Sequence, residues 1–169
     1  MPHPPTFTFP SKLEPSGHRL WSFHLPAPPE VSAHFKAQGN LRVWCSINGT
    51  EAFQCALTAA GKGKYVIIVN KSRQKQHALT EGSSAELMLQ EDNSRYGLPF
   101  PEELEAVLAD DAEGHRLLHE LSPGKLRTLL YLAAQGKDSD ERIRRAVCII
   151  EHLKRFNGKI NYKLLHAEL

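Results

Sequence analysis

Apolar residues alternate with polar ones along the first part of the chain and recur every three to four residues in the rest, the change falling at residues 97–101. Short strands are therefore predicted before the change and helices after it. Thr6-Phe7-Thr8-Phe9 alternates with period two. Residues 18–24 do likewise, with Leu20, Ser22 and His24 on one face and Trp21 and Phe23 on the other. Eight of the eleven prolines (Pro2, Pro4, Pro5, Pro10, Pro15, Pro26, Pro28 and Pro29) precede residue 30, which disfavours helices there. The first predicted helix is short, over residues 30–37, and Gly39 ends it.

The clearest β signal is a hairpin over residues 41–57, turning at Asn48-Gly49. A two-residue loop would bring Gln54 and Thr50 onto the apolar face. A three-residue loop, Asn48-Gly49-Thr50, instead sets Val43 opposite Cys55, Cys45 opposite Phe53 and Leu41 opposite Leu57. It gathers Leu41, Val43, Cys45, Ile47, Phe53, Cys55 and Leu57 on one face, so hydrophobic matching selects it. Trp44 then points the other way with Arg42 and Ser46. Beyond a turn at 61–64, residues 65–70 form a nearly continuous apolar strand, which predicts burial on both faces. Residues 71–79 read as one or two helical turns and 85–90 as a further strand. Five or six short antiparallel strands predict a small barrel, because closure removes exposed edges.

Helical signals follow. Pro101, Glu102 and Glu103 suit a first turn, with Leu104, Val107 and Leu108 facing inward. Asp110 or Asp111 caps the next helix, whose apolar residues are Leu117, Leu118 and Leu121. Ser122-Pro123 starts a third, with Leu126, Leu129, Leu130 and Ala133 inward and Gly136 as its stop. Asp138 with Glu141 forms a capping box for a fourth, with a stripe of Ile143, Ala146, Val147, Ile150 and Leu153. The predicted fold is α+β: a small antiparallel β-barrel of five or six strands over residues 1–97, then a segment of about four helices over 98–169. Residues 159–165 are apolar enough to dock back or to meet another subunit, and the oligomeric state stays open.

With 41% hydrophobic and 24% charged residues among 169, the chain has a globular composition, not a disordered or collagen-like one. A formal net charge of +2 points to no nucleic-acid or membrane partner by itself. Apolar runs such as Ala146 to Ile150 are far too short for a bilayer span, so no membrane insertion is expected. Met1-Pro2-His3-Pro4-Pro5 has neither the basic nor the apolar region of a secretory signal. Cys45, Cys55 and Cys148 lack close metal-ligand spacing and read as free thiols of a cytoplasmic protein.

Several stretches together resemble a known family. They are Leu20-Trp21-Ser22-Phe23-His24-Leu25-Pro26, Arg42-Val43 through Asn48-Gly49, and residues 65–70 followed by Lys71-Ser72-Arg73. These are similar to the small β-barrel domain of unknown function in the YdeI/OmpD-associated, or bacteriocin-protection, proteins of bacteria. Leu121-Ser122-Pro123-Gly124-Lys125 and Glu141-Arg142-Ile143-Arg144-Arg145 resemble that family's helical tail, although residues 134–142 depart from its usual Ala-Lys-x-x-Glu-Thr-Arg pattern. The resemblance implies a barrel followed by helices, and a link to bacteriocin or stress protection without an agreed chemistry.

Four groups of residues are candidates for chemistry. Asp111, His115 and His119, spaced by four, share a helix face suited to Zn²⁺ or Ni²⁺, but no fourth ligand accompanies them and that face points to solvent. Cys148 and His152 lie four apart on the polar side of the last helix, near Arg144, Arg145 and Arg155. Cations there would lower the thiol pKa, as in a thiol enzyme or redox sensor; the plainer reading is a small packed residue.

Charge also divides within the helical part. Residues 100–120 carry seven acids against Arg116 alone, a net of −6, and residues 121–169 carry a net of +5. Arg142, Arg144, Arg145 and Arg155 form an anion or nucleic-acid patch, unless the acidic and basic helices pair with each other. Among the strands, Lys62, Lys64, Lys71, Arg73 and Lys75, with Arg42 and Trp44, could line a pocket for an anionic ligand, or a solvated rim that guards strand edges. No phosphate loop, nucleophile elbow, His-Glu-x-x-His or paired-cysteine zinc pattern occurs, so neither a catalytic set nor a cofactor is assigned. The reading that results is a non-catalytic protein that binds a small ligand or a partner protein, with nucleic-acid binding as the alternative.

Overall fold

The computed structural model describes residues 3–169; Met1 and Pro2, and with them the first proline of the early series, lie outside the described residues. The chain divides into two compact units, Met1–Gly97 and Leu98–Leu169.

The first unit holds strands β1 (Thr6–Lys12), β2 (Glu14–Pro15) and β3 (Phe23–Pro26), helix α1 (Pro29–Ala37), and strands β4 (Arg42–Ile47), β5 (Phe53–Ala59) and β6 (Tyr65–Ile68). Helix α2 (Lys71–Gln76) and strand β7 (Ser84–Glu91) complete it. The sheet is antiparallel in the order β1-β7-β4-β5-β6-β3-β2. Its two ends are one stretch of chain: β1 pairs with β7, the chain bends at Leu13, and β2 pairs with β3. The sheet therefore nearly closes on itself. Seven strands replace the predicted five or six because Leu13, 1% exposed, turns into the core and breaks the first extended segment in two. Ser11 Oγ ties the bend to the Pro26 carbonyl at 2.7 Å.

Side chains of the unit fill its interior. Leu25, Val43, Cys45, Ile47, Ile67, Leu87 and Leu89 form one buried cluster, and Val31 and Phe35 of α1 pack into it. The hairpin has the register expected of a three-residue loop: Val43 faces Cys55 and Cys45 faces Phe53. Asn48 and Gly49 take positive φ, 52° and 71°, and the Asn48 side-chain oxygen accepts the Glu86 N–H at 2.8 Å. The tip is thereby fastened to β7.

The strand predicted over 18–24 is corrected. Only Phe23–Pro26 is extended, and Leu20 is 83% exposed. Gly17, at φ 66°, starts a loop closed by a Ser16 N–H bond to the Ser22 carbonyl at 2.9 Å. Alternation alone does not make a strand where local backbone bonds close a turn.

The second unit has five helices in place of the predicted four: α3 (Glu102–Leu108), α4 (Ala112–His119), α5 (Pro123–Ala134), α6 (Ser139–Arg155) and α7 (Tyr162–Glu168). The additional one, α7, folds back on α6 and buries Leu165. Asp111 caps α4 through the Gly114 N–H at 2.8 Å, and Asp138 caps α6 through the Glu141 N–H at 2.8 Å. Glu141 reaches back to the Lys137 N–H (3.0 Å), one residue beyond the usual capping-box partner. The α6 stripe is rotated from its predicted position. Ala146, Ile149, Ile150, His152 and Leu153 are buried, whereas Ile143 and Val147 are 43% and 44% exposed. Docking of α7 on the His152 side accounts for the rotation. Among the described residues, no helix is long and apolar enough to cross a membrane.

Candidate functional site

His24 on β3 is a buried imidazole within the β-rich first unit. Pairing of β2 with β3 places Glu14 directly opposite it. The Trp21 indole N–H donates to His24 Nδ1 at 2.9 Å, so Nδ1 must hold the lone pair. In the neutral ring the proton then sits on Nε2, which lies 3.0 Å from Glu14 Oε1 and donates to it. His18 stacks on the Trp21 ring at 4.1 Å between centroids, and the Ser16 hydroxyl donates to the Trp21 carbonyl. Tautomer and ring orientation are thus fixed from both sides.

A cleft of about 420 Å³ opens beside this chain, lined by Glu14, Ser16, His24, Lys64 and Tyr65 over a floor that includes Pro26 and Val66. Its size falls in the range of small-molecule sites. It offers a half-exposed carboxylate, a primary ammonium group, a phenol and a hydroxyl against an apolar floor. A second cleft, of about 260 Å³, lies beside the Trp21 loop, with Leu20, Lys71 and Gln74 in its lining. That volume is below the usual range.

The basic residues predicted to share one pocket are dispersed. Lys64 lines the larger cleft and Lys71 the smaller, while Lys62 is exposed in the turn between β5 and β6. Arg73 lies flat over the Phe53 ring, 3.3 Å from its centroid. Arg42 and Trp44 alternate with Cys45 along β4 and so belong to the opposite face from Phe53. Arg42 donates to the Gly97 carbonyl. Its charge also supports buried Asp92. Burial alone would raise the Asp92 carboxyl, but the Ser94 hydroxyl and N–H, the Gln54 amide and Arg42 together hold it below the ordinary range. Glu14, His24 and Tyr65 were not singled out from the sequence. The available signal was a histidine three residues from a tryptophan, followed by a proline-ended strand.

In the second unit, acidic and basic helices pair. Glu103 accepts from Arg142 Nε at 2.8 Å, and Asp111 accepts from Lys154. The Glu103 carboxyl is held low by its own backbone N–H and by Arg142, and that of Asp111 by Lys154 and the Gly114 N–H. The other patch arginines are also engaged: Arg145 with the Leu132 carbonyl (3.2 Å), Arg155 with Glu168 (2.6 Å) and Arg144 with the Leu169 backbone oxygen (2.7 Å). His115 and His119 stack with centroids 4.1 Å apart, and the His119 Nδ1 lies 2.8 Å from the His115 carbonyl. With Asp111 bound to Gly114 and Lys154, that triad is spent on structure. Among the described residues, no three His, Cys, Asp or Glu side chains converge as a metal site.

His152 is fully buried, not on the polar side of α6 as predicted, because α7 covers it. Its Nδ1 faces Glu168 at 3.3 Å and its Nε2 accepts the Asn161 N–H at 3.1 Å. Burial, then the Glu168 charge, push the Cys148 thiol upward, outweighing Arg144, Arg155 and Arg145. That direction is opposite to the activation predicted for a thiol nucleophile.

Residues 9–89, within the first unit, match the family model of DUF1905, a domain of unknown function. No curated protein matches the chain.

Proposed function

We propose that the chain is a non-catalytic, cytoplasmic ligand-binding protein of the YdeI/OmpD-associated type, and that its first unit takes a small polar molecule in the cleft beside His24. The observation that carries this reading is the oriented pair His24–Glu14 on the wall of a cleft that also holds Lys64 and Tyr65. A carboxylate fixed by a buried imidazole is a preorganised acceptor, which lowers the ordering cost of binding. Glu14 would take a donor or a cation of the ligand, and Lys64 an anionic group. The family assignment is supported by the resemblance of residues 20–26 and 42–49 and by the domain match over 9–89. The location is supported by three cysteines that are all free. A role in bacteriocin or stress protection rests on the family resemblance.

The test is a screen of the full chain by ¹H–¹⁵N NMR against small zwitterions, carboxylates and amines. Shifts clustering on residues 14–26 and 60–66, and lost in Glu14→Gln and Lys64→Ala with the rest of the spectrum intact, are expected. Shifts confined to the second unit, or untouched by both substitutions, would overturn the assignment.

A further inference from the structure

The hairpin register brings two thiols together. Cys45 faces Phe53 and Val43 faces Cys55, so Cys45 and Cys55 are diagonal neighbours on one face of β4 and β5. A hydrogen bond between the two thiols, then burial, push the Cys45 thiol well above its ordinary value, against the charge of Arg73. Cys45 is wholly buried, whereas Cys55 is half-buried at the edge of the core. Arg73 stands beside both. Its guanidinium lies over the Phe53 ring, and its charge acts on both sulfurs. Cys148 belongs to the other unit and takes no part.

We propose that Cys45 and Cys55 are a reversible redox pair, oxidised to a disulfide by a low-molecular-weight disulfide such as oxidised glutathione, with Cys55 attacking first and Cys45 resolving. The reachable sulfur must act first, and the Arg73 guanidinium stands beside it. The Cys55 thiolate attacks one sulfur of oxidised glutathione, forming a mixed disulfide and releasing a glutathione thiolate. Cys45 then attacks the Cys55 sulfur, its proton passing to the glutathione thiolate released first, and expels the second glutathione as a thiolate. Two cysteine thiols are oxidised, one glutathione disulfide is reduced to two thiols, and the two cysteine protons end on those thiols.

Geometry makes this a switch rather than a staple. Diagonal neighbours have Cα atoms roughly 7–8 Å apart. A disulfide wants them within about 4.4–6.8 Å. The two strands must therefore close slightly. The movement falls to β5, because its pairing with β4 ends at Cys45–Phe53 and its pairing with β6 begins only at Leu57, whereas β4 stays paired with β7 through Ile47. A bridge formed against that strain is easily reduced.

The experiment equilibrates the full chain with glutathione buffers of rising oxidised fraction, counts free thiols, and maps disulfides by mass spectrometry without reduction. Loss of two of the three thiols, a Cys45–Cys55 linked peptide and full reversal by dithiothreitol are expected. Cys45→Ser should stop at a single glutathione adduct on Cys55, and Arg73→Met should slow the first step several-fold. Retention of all three thiols at the most oxidising ratio, with the circular dichroism unchanged, would overturn the proposal. So would a linked peptide that forms only in urea. Because Cys45 is in the core, where a substitution also acts on folding, the wild-type thiol count decides alone.

Discussion

Trp21 donates its indole N–H to Nδ1 of His24, 2.9 Å away, and so selects the form of the imidazole that hands its remaining proton to Glu14. Trp21→Phe keeps most of the ring but removes the donor. Nδ1 is then left buried without a partner, a loss of about 1–3 kcal/mol. Urea unfolding should show a lower midpoint with an unchanged slope. The imidazole ¹⁵N shifts of His24 should change from a single Nε2–H form to a mixture. A variant as stable as wild type, with an unaltered tautomer, would mean that the indole does not set the ring.

How far the sequence reveals this arrangement depends on whether a local period decides it. The hairpin register was legible because one apolar face spans both strands, and a slip by one residue would have put Gln54 into the core. The capped starts of α4 and α6 were legible for the same local reason: an Asp side chain meets an N–H three residues on. The Glu14–His24 pair was not. It needs a turn at Gly17 between two very short strands, and the alternating run over 18–24 mimics a strand instead. The face of α6 was misread because His152 is buried by α7, through contacts with Asn161 and Glu168 that no period of α6 encodes. Clustered lysines and arginines misled in another way. Lys64, Lys71 and Arg73 are close along the chain, yet two line different clefts and the third lies over Phe53.

Asp92 supplies a pH dependence whose sign follows from its environment. Its carboxyl is held below the ordinary range in the folded state by Ser94, Gln54 and Arg42, against the effect of burial. The ionised form therefore binds the fold more tightly. The resulting stabilisation is present above the unfolded value, about pH 4, and is lost as pH falls through the depressed folded value. Asp92→Asn should cost about 1–3 kcal/mol at neutral pH. It should also flatten the acid limb of a stability-versus-pH curve, measured by denaturant unfolding at successive pH values. An acid limb as steep as that of wild type would assign the dependence to other carboxylates.

Two glycines in the helical unit should respond oppositely to alanine. At Gly114 in α4, an added Cβ would lie 2.5 Å from Ile150 Cγ2 and 3.0 Å from the Asp111 carboxyl. The helix-propensity gain of about 1 kcal/mol is then outweighed by overpacking of about 1–3 kcal/mol and by disturbance of the Asp111 cap. At Gly124 in α5 nothing lies within 4 Å, so the propensity gain, up to about 1 kcal/mol, should survive. Thermal melts of the two variants should move down and up respectively. A rise for Gly114→Ala would show that α4 stands off α6.

Glu168 is, after burial, the second influence that holds the Cys148 thiol up. Burial and the Glu168 charge raise the thiol, while Arg144, Arg155 and Arg145 pull the other way without prevailing. Glu168→Gln removes the negative charge but keeps an acceptor oxygen for Arg155 and His152, which Glu168 meets at 2.6 Å and 3.3 Å. The arginines then act on the sulfur with less opposition, and the thiol pKa falls. More thiolate exists at any pH below it. Alkylation of Cys148 by iodoacetamide, followed on its own peptide by mass spectrometry, should therefore run several-fold faster near neutral pH, with its pH midpoint displaced downward. If α7 were merely loosened, exposure would raise the rate at every pH and the midpoint would move only as far as burial had shifted it. Leu165→Ala, which weakens α7 packing while keeping Glu168, separates the two causes: it should change accessibility, and the charge effect should remain.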